Sequence, residues 1–158
     1  HDVQVDFEVK DRVRILNALC GLNREGAVQM DRAEAEKITL GKRELKSAKK
    51  RYLEAVKLLC ALPGAPTVYY GDEIGMTGMA DPWNRAPMNW DEPDEKLLEG
   101  VRALLLKRRD TPVLHTGYLE VEAVDADTLR ITRCARDGKD VFGEPLAGKA
   151  AVVKVSRK

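Results

Sequence analysis

The sequence predicts an α/β segment followed by a small β segment, on three observations. A long charged helical run stops at Pro63-Gly64 and passes into APTVYY, a nearly all-apolar run of the kind found in strands covered on both faces. A second amphipathic run follows from Asp94 to Arg109. After Pro112 the chain changes to short alternating runs separated by DAD, DGKD and GEPLAGK, the pattern of a small antiparallel sheet. The boundary falls at Asp110–Pro112, dividing the chain into 1–110 and 111–158.

Each element has its own warrant. In VQVDFEVK, Val3, Val5, Phe7 and Val9 alternate with Gln4, Asp6, Glu8 and Lys10, which predicts a half-buried strand. RVRILNALCG reads as a short helix closed by Gly21. MDRAEAEKITL reads as another, with Asp31 and Glu34 in capping-box spacing. From Lys42 to Leu62 the residues Leu45, Ala48, Tyr52, Ala55, Val56 and Leu59 recur at helical steps, and lysines fill the opposite side. Pro63 and Gly64 end that helix. The helix from Asp94 carries Leu97, Leu98, Val101, Leu104 and Leu105 on one stripe, and Lys107, Arg108 and Arg109 at its end, where cations suit the helix dipole. YLEVEAV, TLRITRC and AAVVKVS are the three strands of the β segment.

Totals exclude several classes of function. The net charge is +1, so no electrostatic pull toward nucleic acid or an anionic membrane is expected; the basic run KSAKKR reads as a solvated helix face. No apolar run approaches the roughly 20 residues of a membrane span. The opening HDVQVDFEV has no basic region leading into an apolar one, so no leader is expected. The missing initiator Met suggests a segment of something longer, or a processed or engineered chain. Cys20, Cys60 and Cys134 lie far apart without CxxC spacing, which predicts reduced thiols in a cytoplasmic protein and no zinc site. No metal and no cofactor are expected.

The stretch 63–90 concentrates turn-formers, carboxylates and aromatic rings in a chain that is only 5% aromatic. Ligands of α/β sheets bind on the loops after the strands. Asp72 and Glu73 follow TVYY directly, and the loop beyond carries Asp81, Trp83, Asn84, Arg85 and Trp90. Carboxylates, a guanidinium and indole rings suit a polyhydroxylated ligand, since polar groups pair with hydroxyls and rings stack on sugar faces. The competing reading is a structural loop in which Asp72 caps a turn and Arg85 pairs with an acid.

PGAPTVYYGDEIGMTGMADPWNRAPMNWD resembles the last strand and loop of the catalytic barrel in the α-amylase family, glycoside hydrolase family 13. It is most similar to the neopullulanase, cyclomaltodextrinase and maltogenic amylase group, in which PG-P-YYGDE-GM followed by DP-NR-PM-W recurs. LKRRDTPVLHTGYLEV and DVFGEPLAGKAAVVKV resemble the following helix and parts of the family's C-terminal β domain. DRVRILNALCG is similar to the segment after the seventh barrel strand. The resemblance implies the C-terminal end of a (β/α)8 barrel, incomplete, over 1–110, and a small antiparallel β domain over 111–158.

It also implies hydrolysis of α-glucans such as starch, maltodextrin or cyclodextrin. The family uses a nucleophilic Asp, an acid/base Glu and an Asp that stabilises the transition state. Only the third is matched, by Asp11; Lys10 stands where the family has His and Arg12 where Thr is common, and His1-Asp2 is a rival dipeptide. A retaining glycosidase needs its nucleophile and acid about 5 Å apart, so inactivity of this chain alone is expected. Asp81 and Arg85 match residues that contact glucose units, and Trp83 is grouped with them as either sugar platform or core. Tyr69 to Glu73 match framework, and Trp90 is assigned to the core. The expected partner is an α-glucan oligosaccharide. Two barrel strands cannot close a barrel and leave edges unpaired, so the chain is expected to pair with a partner or copy, or to have rearranged into a compact α+β fold. A non-catalytic oligosaccharide-binding module and a structural, oligomerising domain remain alternatives.

Overall fold

The computed structural model describes residues 40–78 and 85–156. The expected strand at Val3–Val9 and the helical runs after Asp11 and Asp31 lie outside them. The described elements are α1 (Lys42–Ala61), a 3-10 turn (Asp72–Ile74), α2 (Glu95–Arg109), α3 (Val113–Thr116), β1 (Tyr118–Asp125), β2 (Thr128–Cys134) and β3 (Ala151–Ser156). The architecture is α+β, with an antiparallel sheet of order β1-β2-β3. Ala65–Tyr70, expected to be a buried strand, forms no strand among the described residues. A strand exists only through a neighbour that pairs with it, and the apolar composition of APTVYY cannot supply one.

The chain divides into two compact units, His1–Tyr52 with Val68–Glu95, and Leu53–Thr67 with Lys96–Lys158. In the first, α1 begins at a half capping box: the Glu44 carboxylate accepts the Gly41 N–H at 2.6 Å, while Gly41 has no side chain to return the bond. Lys49 and Asp94 form an ion pair at 2.5 Å. The Asn89 side chain accepts the N–H groups of Asp91 and Glu92 at 3.3 and 3.4 Å, an Asx turn that leads toward α2. Trp90, assigned to the core by resemblance, sits in this turn and is 78% exposed. Its neighbours Asn89, Asp91 and Glu92 are exposed as well, so this polar turn provides no apolar cover for the indole.

The second unit holds the sheet. Ile131 on the central strand is fully buried, paired with Val121 on β1 and Val153 on β3. Ala61, at the end of α1, closes over Ile131 and Val153, with Leu58 and Val155 at the margin. The buried arc of α1 is therefore Val56, Cys60 and Ala61, and Ala55, expected on the inner stripe, is exposed. Gly117 admits no side chain, because a Cβ there would collide with the Val113 carbonyl oxygen and lie 3.0 Å from that of Cys134.

Two buried arginines finish α1. The last carbonyls of a helix have no partners within it. Arg108, 6% exposed, donates to the carbonyls of Cys60 at 2.5 Å, Leu62 at 3.0 Å and Gly64 at 2.5 Å. Arg133, 1% exposed, donates to Ala61 at 2.9 Å and to Gly117 at 2.8 Å. Burial, and then the Arg108 charge, hold the Arg133 guanidinium below its usual value. The end of α2 was expected to place Arg108 on that helix's own dipole; instead it caps α1. The His115 ring nitrogen and the Arg108 carbonyl lie within hydrogen-bond distance, at 2.8 Å.

The loop from β2 to β3 is organised around Asp140. Its Oδ1 accepts the N–H groups of Phe142 and Glu144, each at 2.9 Å, and its own N–H donates to the Glu144 carbonyl at 2.8 Å. Burial alone pushes Asp140 up, but hydrogen bonds from the Thr116 hydroxyl and from the Glu144, Phe142 and Gly143 amides outweigh it and hold the carboxyl below its usual value.

Two outcomes follow for stability. Arg108→Met should cost about 2–4 kcal/mol in a urea titration, because buried carbonyls lose their donor. Arg108→Lys should recover less than half, since one ammonium cannot reproduce a planar fork; a loss under about 0.5 kcal/mol for Met would mean that the caps are dispensable. The lowered Asp140 value contributes stability that is present above the unfolded-state value, about 3.9, and is lost as pH falls through the folded one. Acid unfolding followed by circular dichroism should therefore be flatter below pH ~4 in Asp140→Asn than in the parent. Parallel curves would remove Asp140 from the account.

Candidate functional site

The candidate site is the loop after Tyr70. Tyr69 and Tyr70 pack ring to ring, with centroids 4.8 Å apart and planes tilted by 39°. The Tyr70 hydroxyl donates to the Ala86 carbonyl at 3.0 Å, which ties the two ends of the loop together. Between them the backbone reverses at Gly71, whose φ of 89° lies in the left-handed region. A Cβ there would also meet the Met76 sulfur at 2.6 Å. The Gly71 carbonyl accepts the N–H groups of Ile74 at 3.2 Å and Met76 at 2.9 Å, and the Ile74 side chain is buried. Farther on, the Asp94 N–H donates to the Ile74 carbonyl at 3.0 Å, which fastens the start of α2 to the turn.

Asp72 and Glu73 are therefore held within a rigid turn. Burial raises the Asp72 carboxyl, and the Glu73 charge adds to the rise. One carboxylate oxygen of Glu73, Oε2, is buried with no hydrogen-bond partner among the described residues. Burial raises the Tyr52 hydroxyl above its ordinary value, with further upward contributions from Asp72 and Glu73. Tyr52 is thus a partly buried hydroxyl under the influence of two carboxylates. The sequence reading placed it on the apolar stripe of α1, because helical period reports only which residues share a face. Twenty positions separate Tyr52 from Asp72, and no short-range pattern could join them.

Of the expected contact residues, Asp11, Asp81 and Trp83 lie outside the described residues. Arg85 is described and exposed, one residue before the Ala86 carbonyl that Tyr70 holds. No group of His, Cys, Asp and Glu with the arrangement of a metal site occurs among the described residues.

Comparison with known proteins gives this loop a context. No family model matches the chain. An amylopullulanase from Thermoanaerobacter thermohydrosulfuricus is 34% identical over 110 residues, 70% of this chain and 8% of that protein. A maltogenic α-amylase from Bacillus acidopullulyticus is 42% identical over 66 residues, 40% of this chain and 11% of the relative. Among solved structures, the maltose complex of a cyclic α-maltosyl-(1→6)-maltose hydrolase from Arthrobacter globiformis aligns with a TM-score of 0.56 at 28% identity, covering 90% of this chain and 36% of that one. The chain thus spans only a small part of the length of the curated relatives it matches. It belongs to the α-amylase family, glycoside hydrolase family 13, and corresponds to a C-terminal part of an enzyme of the neopullulanase, cyclomaltodextrinase and maltogenic amylase group.

Proposed function

We propose that this chain is the closing portion of an α-glucan hydrolase, which contributes sugar contacts to a cleft but does not cleave glucan alone. On this reading 1–110 derives from the end of a (β/α)8 barrel and 111–158 from the β domain appended to it. The observation that carries the proposal is the exposed Arg85, next to the Ala86 carbonyl that the Tyr70 hydroxyl bonds. A guanidinium so placed can donate to two sugar hydroxyls at once, and Asp81 and Trp83 would add an acceptor and a ring for stacking.

Inactivity alone follows from the carboxylates. Asp11 would stabilise a transition state but cannot serve as both nucleophile and acid. On this reading Asp72 and Glu73, in the turn after Gly71, are framework rather than catalytic groups. The relatives' names refer to α-glucan substrates, and the aligned hydrolase structure contains maltose; both support the same ligand class here. Cys60 and Cys134 are free thiols, which fits the reducing cytoplasm. No helix among the described residues is long and apolar enough to cross a membrane.

The test is a titration of the purified chain with maltotriose through maltohexaose, following tryptophan fluorescence and released reducing sugar together. A saturable fluorescence change without sugar release is expected, weakened roughly tenfold by Arg85→Gln, the loss of a charged hydrogen bond. Sugar release abolished by Asp11→Asn would overturn the inactive reading in favour of an autonomous enzyme. Silence in both signals would leave the alternative, a structural domain that keeps the loop without using it.

A further inference from the structure

Among the described residues the sheet has two open edges of unlike character, the outer sides of β1 and β3, and their chemistry specifies what could join them. The Ser156 N–H leaves β3 away from β2, donating to the Glu54 carboxylate at 3.1 Å. In an antiparallel ladder the backbone groups of one residue leave on one side and alternate along the strand. Val152 and Lys154 therefore direct their N–H and C=O groups to the same open side as Ser156. The Cys134 backbone, whose O and N lie 3.0 and 3.3 Å from a Cβ built on Gly117, faces β1 as this alternation requires. By the same parity the open side of β1 presents the backbone groups of Leu119, Val121 and Ala123.

The β3 edge borders a groove of about 380 Å³. Its floor is apolar, formed by Cys60, Ala61, Leu104 and Leu114, and Lys57, Lys107 and Lys154 stand around it. β1 is the opposite kind of surface. Seven of its eight residues are exposed, among them Leu119 and Val121 on one face and Glu120 and Glu122 on the other.

We propose that β1 of a second copy of this chain pairs in parallel with β3, continuing the sheet along the groove. Antiparallel pairing would set Val121 or its apolar neighbours directly opposite Val152 and Lys154, on one face, and would turn Glu120 and Glu122 toward the groove floor. Parallel pairing offsets the hydrogen-bonded residues by one. Val121 then stands beside Val153 on the apolar face and Glu122 beside Lys154 on the other, so both faces and the charges agree. Joining β1 to β1 instead would place Glu120 opposite Glu122 across a two-fold axis, a like-charge pair. A β1-to-β3 contact is heterologous, so each added copy leaves one β1 and one β3 edge open for the next.

This association does not depend on the glucan reading, and oligosaccharide should neither promote nor dissolve it. Sedimentation velocity on the full chain at low salt, from low to high micromolar concentration, should show an average mass that rises without stopping at two. Glu122→Lys and Lys154→Glu should each weaken association roughly tenfold. An equimolar mixture of the two variants, and separately the double variant, should restore it, because opposite charges again face each other; circular dichroism verifies that each variant is folded. A single monomeric species at every concentration overturns the proposal. So does a dimer indifferent to Lys154→Glu, or a charge swap that restores nothing.

Discussion

The end of α1 is the constraint on which the described β unit depends. A helix that stops inside a protein leaves carbonyls with no amide of its own to accept from, and burying them unpaired would cost more than the packing around them returns. Here two guanidiniums from different parts of the chain meet that need. Arg108 brings α2 to the carbonyls of Cys60, Leu62 and Gly64, and Arg133 brings the central strand to Ala61. Because Ala61 also packs on Ile131 and Val153, the polar cap and the apolar core are parts of one junction. Arg133 further holds Gly117, where there is no room for a side chain, so α3, β1 and β2 meet at that point.

The candidate site is built on a different principle. Its described backbone turns at a left-handed glycine and is tied by bonds from the Tyr70 hydroxyl to the Ala86 carbonyl and from the Asp94 N–H to the Ile74 carbonyl. Asp72 and Glu73 sit in this turn near Tyr52; burial raises the Asp72 carboxyl, and one Glu73 oxygen is buried with no partner among the described residues. Rigidity of this kind suits a surface that positions a ligand, since precise placement lowers the ordering cost of binding. The same carboxylates would be poor participants in chemistry that needs two acids across a cleaved bond.

The sheet edges add a further tension. β3 carries lysine beside an apolar groove, and β1 carries glutamates beside exposed Leu119 and Val121. Charged edge residues ordinarily discourage edge-to-edge pairing. When the two edges of one sheet carry opposite charges, the same device that blocks β1 from pairing with β1 favours β1 with β3.

Local physics made the extended elements legible. The periodicity from Lys42 and from Asp94, the Pro63-Gly64 stop and the alternation of YLEVEAV, TLRITRC and AAVVKVS mark helices and strands within a residue or so of where they lie, because period and turn chemistry are properties of neighbouring residues. The family resemblance was legible too, through the ordered run from Pro63 to Trp90. Partnership across the chain was not. APTVYY has strand composition without a described strand partner, Trp90 has core composition in an exposed polar turn, and Arg108 looks like a cation for its own helix while it caps another. Tyr52 reads as an apolar helix residue until Asp72 and Glu73 are brought beside it. The sequence by itself determined the helices that start at Lys42 and Glu95, the three strands of the sheet and the family they descend from. Tertiary structure alone decided which groups are buried together, because burial and hydrogen bonding are settled between residues that the chain order keeps far apart.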